Sequence, residues 1–168
     1  MPISDHRLVS VSSDGRARIW DLETGQCIST FGRYATSALG CALGSSDPSI
    51  DPSIHPDACD LVYVSTQDAK IHVHSIRDPQ RRSSDGDEYM LATLKGHGWE
   101  VWQLLGSTQV QLFSAGFDHT VRRWDGRTGW RDSTVLEEGH RGYVHAMVSL
   151  DGQGMATGCA DRTIKIWS

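Results

Sequence analysis

Apolar and polar residues alternate with a period of two in short stretches of this chain. Ala17 and Ile19 alternate with Arg16 and Arg18, and Ile164 and Ile166 with Thr163 and Lys165. Successive side chains of a strand point to opposite faces, so the pattern predicts β-strands with two unlike faces. No stretch sustains the 3.6-residue period of an amphipathic helix. Gly and Asp punctuate the strand-like runs and predict tight turns between them. The chain reads as all-β, with short antiparallel strands.

The pattern repeats. Four segments share one spacing: LVSVSSDGRARIWD, VYVSTQDAKIHVHS, LFSAGFDHTVRRWD and MATGCADRTIKIWS. Their turn aspartates are Asp14, Asp68, Asp118 and Asp161. Six residues after each stands Trp20, His74, Trp124 or Trp167, and four before each stands Ser10, Val64, Ser114 or Thr157. The last two units also open with Gly-His, and His97 and His140 each lie 21 residues before their aspartate. The last two turns are 43 residues apart, the earlier pairs 50 and 54. A period of about 40–45 residues with a Gly-His opening and a Trp-Asp close marks one propeller blade per repeat.

On these residues the chain resembles the WD-repeat β-propeller family, over nearly its whole length. The resemblance implies an all-β, partial WD-repeat β-propeller with about four radial blades of antiparallel strands in an open or incomplete ring. The units span approximately 5–31, 32–94, 95–138 and 139–168. The first starts at its second strand and the last stops after its third, while the middle two are complete. The two partial units cannot fuse into one closing blade, because both already contain the second and third strands. The expectation is a part of a longer propeller, a truncated product or half of an assembly. Two insertions, 45–57 and 77–88, are rich in Pro, Ser or charge and read as surface loops of the second unit. Ser84, after Arg81 and Arg82 and before Asp85 and Asp87, is a candidate kinase site there, weighed against an ordinary solvated loop.

In this family His, Ser/Thr, Asp and Trp form a hydrogen-bonded tetrad within a blade. The matching sets are His97, Ser114, Asp118, Trp124 and His140, Thr157, Asp161, Trp167, with Ser10, Asp14 and Trp20 in the first unit. A buried indole N–H needs an acceptor, and a hydroxyl between it and the imidazole supplies one. Ser, His and Asp also suggest a catalytic triad. Recurrence at matched spacing speaks for structure, since an enzyme needs the set once, and no G-x-S-x-G elbow accompanies these serines. No catalytic residue is assigned. In the second unit Arg33 stands at the His position, Val64 at the Ser position and His74 at the Trp position, so that blade is expected to rely on packing alone. His72 and His74 share a strand face but lack a third ligand, and no metal or cofactor is expected.

The family architecture also implies which positions reach the top rim: the third and fifth residues after the Gly-His histidine and the residue before the turn Asp. These are Glu100, Trp102 and Phe117 in the third unit and Tyr143, His145 and Ala160 in the fourth. Ser13 belongs to the first unit, and a looser alignment gives Thr36, Ala38 and Gln67 in the second. Trp102, Phe117 and Tyr143 would form an aromatic patch edged by Glu100 and His145, suited to a peptide segment with a basic or polar edge. Packing of Trp102 into the next blade is the bland reading. A narrower signal is the ending Trp124-Asp125-Gly126-Arg127, which resembles the box of substrate receptors in cullin-RING ubiquitin ligases. It makes Arg122, Arg123 and Arg127 candidates for binding the ligase adaptor.

Composition narrows the partners. The 168 residues carry a formal net charge of −5, which argues against duplex nucleic acid, since phosphate neutralisation needs a basic surplus. No apolar run approaches the roughly 20 residues that span a bilayer. The four cysteines show no framework or zinc spacing, which fits a reducing, cytoplasmic or nuclear setting. The sequence thus points to a non-catalytic scaffold or adaptor for other proteins or peptide segments, with self-association or the remaining blades of a longer chain as further partners.

Overall fold

The computed structural model describes residues 7–45, 60–76, 90–107, 111–136, 139–150 and 154–167. The insertions at 45–57 and 77–88, Ser45 apart, fall outside these, as does Ser84. Among the described residues, fourteen strands form four antiparallel sheets in chain order. Blade 1 holds β1 (Arg7–Ser12), β2 (Arg16–Asp21) and β3 (Cys27–Phe31). Blade 2 holds β4 (Ala38–Ser45), β5 (Asp60–Thr66), β6 (Ile71–Ile76) and β7 (Met90–Leu94). Blade 3 holds β8 (Val101–Gly106), β9 (Gln111–Gly116), β10 (Val121–Asp125) and β11 (Ser133–Val135), with a 3₁₀ turn at Gly126–Thr128. Blade 4 holds β12 (Val144–Leu150), β13 (Gly154–Cys159) and β14 (Ile164–Trp167). The sheets form an open arc of propeller blades, with β1 against β4, β4 against β8 and β8 against β12.

The recurring aspartate builds the hairpin turn. Asp14, Asp118 and Asp161 each accept, through Oδ1, the backbone N–H two residues on, at 3.1, 3.1 and 3.0 Å. This side-chain turn lets the following residue adopt the left-handed region. Gly15 sits there at φ 71°, and Ala69, His119 and Arg162 take the same conformation at φ 63–69°. The aspartate therefore repeats because each hairpin reverses the chain in the same way.

Period two gives each blade two faces. The front face of blade 3 carries Leu112, Ser114 and Trp124, and its back face carries Phe113, Ala115 and Val121. The back faces of blades 1, 2 and 3 each pack on the front face of the next blade. Ala17 and Ile19 of blade 1 meet Val62 and Val64 of blade 2. Leu61, Tyr63 and Val73 of blade 2 meet Leu112 and Trp124 of blade 3, and Trp130 closes over Tyr63 edge-on with ring centroids 5.5 Å apart. Ala115 and Val121 of blade 3 meet Val144 and Met155 of blade 4. The inner strands approach closely enough that a Cβ on Gly106 of β8 would run into the Leu43 carbonyl oxygen of β4.

A β-bulge opens each complete inner strand at the same place. The register shifts between Ala38 and Gly40 in β4, between Val101 and Gln103 in β8, and between Val144 and Ala146 in β12. The skipped residues are Leu39, Trp102 and His145. A bulge turns its extra side chain out of the ladder, which places these three at the rim.

Candidate interaction surface

The rim stands on the tetrads. In blade 3, Trp124 Nε1 donates to Ser114 Oγ at 2.8 Å. Ser114 Oγ lies 2.7 Å from His97 Nε2, and His97 Nδ1 lies 2.7 Å from Asp118 Oδ2. An ionised Asp118 requires Nδ1–H as donor, so Nε2 accepts the serine proton and the four groups form one directed chain. Burial pushes the Asp118 pKa up. The hydrogen bonds from His97, the Gly98 N–H and the Thr120 hydroxyl outweigh it and hold the carboxyl well below its usual range. In blade 4 the same order runs Trp167 Nε1 to Thr157 Oγ1 at 2.8 Å, Thr157 to His140 Nε2 at 2.7 Å, and His140 Nδ1 to Asp161 Oδ2 at 3.2 Å. The Thr163 hydroxyl and the Arg141 N–H lower the Asp161 pKa. In blade 1, Trp20 Nε1 donates to Ser10 Oγ at 2.8 Å, while Asp14 pairs with Arg18. Ser114 is fully buried with both neighbours engaged, an arrangement that fixes the connection Gly96–Glu100 over the blade.

Blade 2 departs from the expected reliance on packing alone. The bulge register puts Tyr34, not Arg33, at the histidine position, because Ala38 occupies the place of Val101 and Val144. Tyr34 Oη lies 2.8 Å from His74 Nε2, and its ring stacks on His72 with centroids 4.5 Å apart. With Val64 offering no hydroxyl, the longer phenol reaches the ring that replaces Trp. The rim positions shift by one as well. The Gln67 N–H donates to Ser37 O at 2.9 Å, as Phe117 does to Glu100 and Ala160 to Tyr143. Ser37 and Leu39, rather than Thr36 and Ala38, therefore match the rim residues, and Ala38 is buried.

The aromatic residues of blades 3 and 4 meet. Trp102 stacks on Phe117 with centroids 5.4 Å apart and planes 5° apart, and Phe117 stacks on Tyr143 at 4.4 Å and 29°. His145 stands edge-on to both Phe117 and Tyr143 at 6.4 Å. Glu100 accepts from Trp102 Nε1 at 3.3 Å. Trp102 is 45% exposed and Tyr143 41%, so the ladder is open to solvent along two blades. One residue absent from the sequence-based set joins this surface: His119 packs edge-on to Tyr143 at 5.5 Å. A second, Trp99, next to Glu100 in the chain, is 64% exposed. An exposed aromatic in the Gly-His connection was the available signal for the second.

The arginines do not gather into one patch. Arg122 lies on the Trp124 face of β10 and donates to Ser133 Oγ at 3.0 Å. Arg123 lies on the opposite face, exposed. Arg127, past the end of the strand, makes a two-point ion pair with Asp125. A ring nitrogen of His140, Cys159 Sγ and an Asp161 carboxylate oxygen lie within 4.8 Å of one another, a set that could hold a metal ion. The tetrad already engages His140 and Asp161, the Asp161 N–H donates to Cys159 Sγ, and burial pushes the thiol pKa up.

Comparison with known proteins agrees with this geometry. The family profile "WD domain, G-beta repeat" matches residues 2–21, 88–125 and 132–168. The chain belongs to the WD40 repeat family. This WD40 chain is 22% identical over 166 residues to a "DENN domain and WD repeat-containing protein SCD1" of Arabidopsis thaliana, covering 98% of the chain and 12% of that protein. It is 31% identical over 77 residues to a "Ribosome biogenesis protein WDR12 homolog" of Nematostella vectensis, covering 46% of the chain and 18% of that protein. Among solved structures it resembles U3-55K at a TM-score of 0.76 and 20% identity, over 99% of this chain and 44% of that one. It also resembles the computationally designed Ika4 protein at a TM-score of 0.68 and 25% identity, over 98% of this chain and 86% of that one. The WD40 chain thus spans 12% and 18% of the length of these two curated relatives and less than half of U3-55K. Among the described residues no helix is long and apolar enough to cross a membrane.

Proposed function

We propose that this WD40 chain is a non-catalytic, intracellular scaffold that holds a protein or peptide segment on its upper rim. WD40 domains generally serve as protein-interaction scaffolds. The observation that carries the reading for this chain is the Trp102–Phe117–Tyr143 ladder, stacked and solvent-exposed across two blades. Aromatic side chains dominate interface energies because they bury large rigid areas at low entropic cost. Glu100 at one edge favours a partner with a basic side chain, and cation–π attraction to the rings adds to it. The ligase-adaptor reading ranks second, since Asp125 occupies the Arg127 guanidinium and Arg122 and Arg123 point to opposite faces.

The double variant Trp102→Ala/Tyr143→Ala tests the rim. Loss of one hot-spot aromatic costs about 2 kcal/mol, or about thirtyfold, and loss of both weakens partner capture by up to about a thousandfold. The melting temperature stays close to wild type, because both side chains stand at the solvent-open rim outside the buried clusters between blades. Arg127→Ala leaves capture unchanged. Full retention of the partner by the double variant removes the rim reading, and loss with Arg127→Ala moves the site to the lower side.

A further inference from the structure

Blade 4 carries a thiol where the matching network of blade 3 has none. Gly116 stands two residues before the turn aspartate of blade 3, and Cys159 stands there in blade 4. The register is the same, since Gly116 pairs with Val101 and Cys159 with Val144. Blade 3 forms its tetrad with no side chain at that place, so the tetrad does not require the cysteine. An ordinary role for the thiol is to accept the Asp161 N–H, as Ser12 Oγ accepts the Asp14 N–H in blade 1. Any small acceptor serves that purpose. What sets Cys159 apart is its company. Its sulfur, a ring nitrogen of His140 and a carboxylate oxygen of Asp161 lie within 4.8 Å of one another. Among the described residues no other three such side chains converge in this way.

We propose that His140, Cys159 and Asp161 form a zinc-binding site at the top of blade 4. Imidazole nitrogen, thiolate sulfur and carboxylate oxygen are the three donor types that zinc accepts. Magnesium and calcium take oxygen sets and copper(I) favours sulfur, so the mixed set selects zinc. Tetrahedral bonds of about 2.0–2.3 Å put ligand atoms about 3.3–3.8 Å apart. His140 Nδ1 and Asp161 Oδ2 already stand 3.2 Å apart. The largest separation in the set exceeds the tetrahedral spacing by about 1 Å, which rotation of the thiol side chain can close. The carboxylate is held in place from outside. Oδ1 accepts from the Thr163 N–H at 3.0 Å and its hydroxyl at 2.6 Å, and Oδ2 accepts from the Arg141 N–H at 2.9 Å. Such outer bonds orient metal ligands.

The tetrad survives the exchange of protons. The thiol proton leaves to solvent. The imidazole proton moves from Nδ1, which takes the metal, to Nε2, which then donates to Thr157 Oγ1 across the same 2.7 Å. That hydroxyl oxygen has two lone pairs, one for this proton and one for the Trp167 N–H. Zinc thus replaces only the bond between His140 and Asp161. Thiolate and carboxylate together neutralise the ion, and the partly exposed Cys159 and Asp161 leave a fourth position open to water. This site goes beyond the rim function, although it clamps the connection 140–143 that carries Tyr143.

The 168-residue chain, stripped of metal with a chelator, is titrated with cobalt(II) as the probe. Cobalt–thiolate charge-transfer absorption is expected to saturate at one ion per chain and to vanish when zinc displaces the cobalt. Zinc alone is expected to raise the melting temperature, because it binds the folded site. Cys159→Gly installs the residue that blade 3 carries, keeps the fold and loses both responses. Cys159→Ser, with the side chain of Ser12 in blade 1, is a second variant and also loses the absorption. Trp102→Ala/Tyr143→Ala keeps both responses, which separates the site from the rim function. Absence of the thiolate absorption in the wild type overturns the proposal. So does its persistence in Cys159→Gly, which would assign it to another cysteine.

Discussion

Ser114→Ala is expected to destabilise the fold more than any other single-atom deletion in blade 3. The hydroxyl is fully buried and serves two groups: it accepts from the Trp124 indole and lies 2.7 Å from His97 Nε2. Its loss leaves two buried polar groups unpaired at once, at about 1–3 kcal/mol each. His97 then keeps only its Nδ1 contacts with Asp118 and Thr120, and the Gly96–Glu100 connection above it loosens. Ser10→Ala in blade 1 deletes the matching hydroxyl where it is partly exposed and, among the described residues, serves Trp20 alone, so it costs about 1 kcal/mol or less. Urea unfolding followed by tryptophan fluorescence measures both. Equal losses for the two variants would mean that the tetrad is not a cooperative unit. Thr157→Ala, in the network of the same order in blade 4, is expected to fall between them, since Trp167 is partly exposed.

Acid is expected to weaken the fold through His74 well before the carboxylates titrate. Burial first, and the neighbouring His72 second, bring the His74 pKa down to about 3 from the ordinary 6.5. Its Nδ1 has no hydrogen-bond partner among the described residues, so a second ring proton would be buried without an acceptor. The unfolded chain protonates this ring near pH 6.5 and the folded chain only near 3. Between those values the unfolded state binds the extra proton, and stability falls as pH falls, by up to about 1.4 kcal/mol per pH unit. From pH 6.5 to 5 the loss amounts to about 2 kcal/mol. His72, shifted in the same direction by burial, adds to it. Asp118 and Asp161 have lowered pKa values, so their stabilisation is present above about pH 4 and disappears only below it. His74→Gln therefore flattens the stability profile between pH 7 and 5. A wild-type profile already flat in that window, or one unchanged by His74→Gln, contradicts the buried neutral ring.

The sequence carries most of blades 3 and 4. Equal spacing between His, Asp and Trp in those units comes from equal strand and turn lengths, so the tetrads were legible without coordinates. The aspartate turn was legible for the same reason: one side chain, one backbone N–H, one left-handed residue. Blade 2 was harder, because the insertion at 45–57 removes the count that would place its first strand. Spacing alone puts Arg33 at the position that Tyr34 occupies. The joint replacement of Ser by Val64 and Trp by His74 was a signal that a longer partner fills the gap. The bulges were hidden as well. They break the period of two at Val101–Trp102–Gln103 and Val144–His145–Ala146, where a rim side chain stands next to a buried one. Ile164 and Ile166 alternate in the same way as Ala17 and Ile19, and only the neighbouring blade decides whether such a row is buried.

Amide hydrogen exchange on the complex with a retained protein partner tests the functional account most directly. Protection is expected at residues 98–102, 117–119 and 143–145, the three segments that carry the aromatic ladder and its edges. Protection confined to the turn at 125–129, with those three segments exchanging as in the free chain, would contradict it.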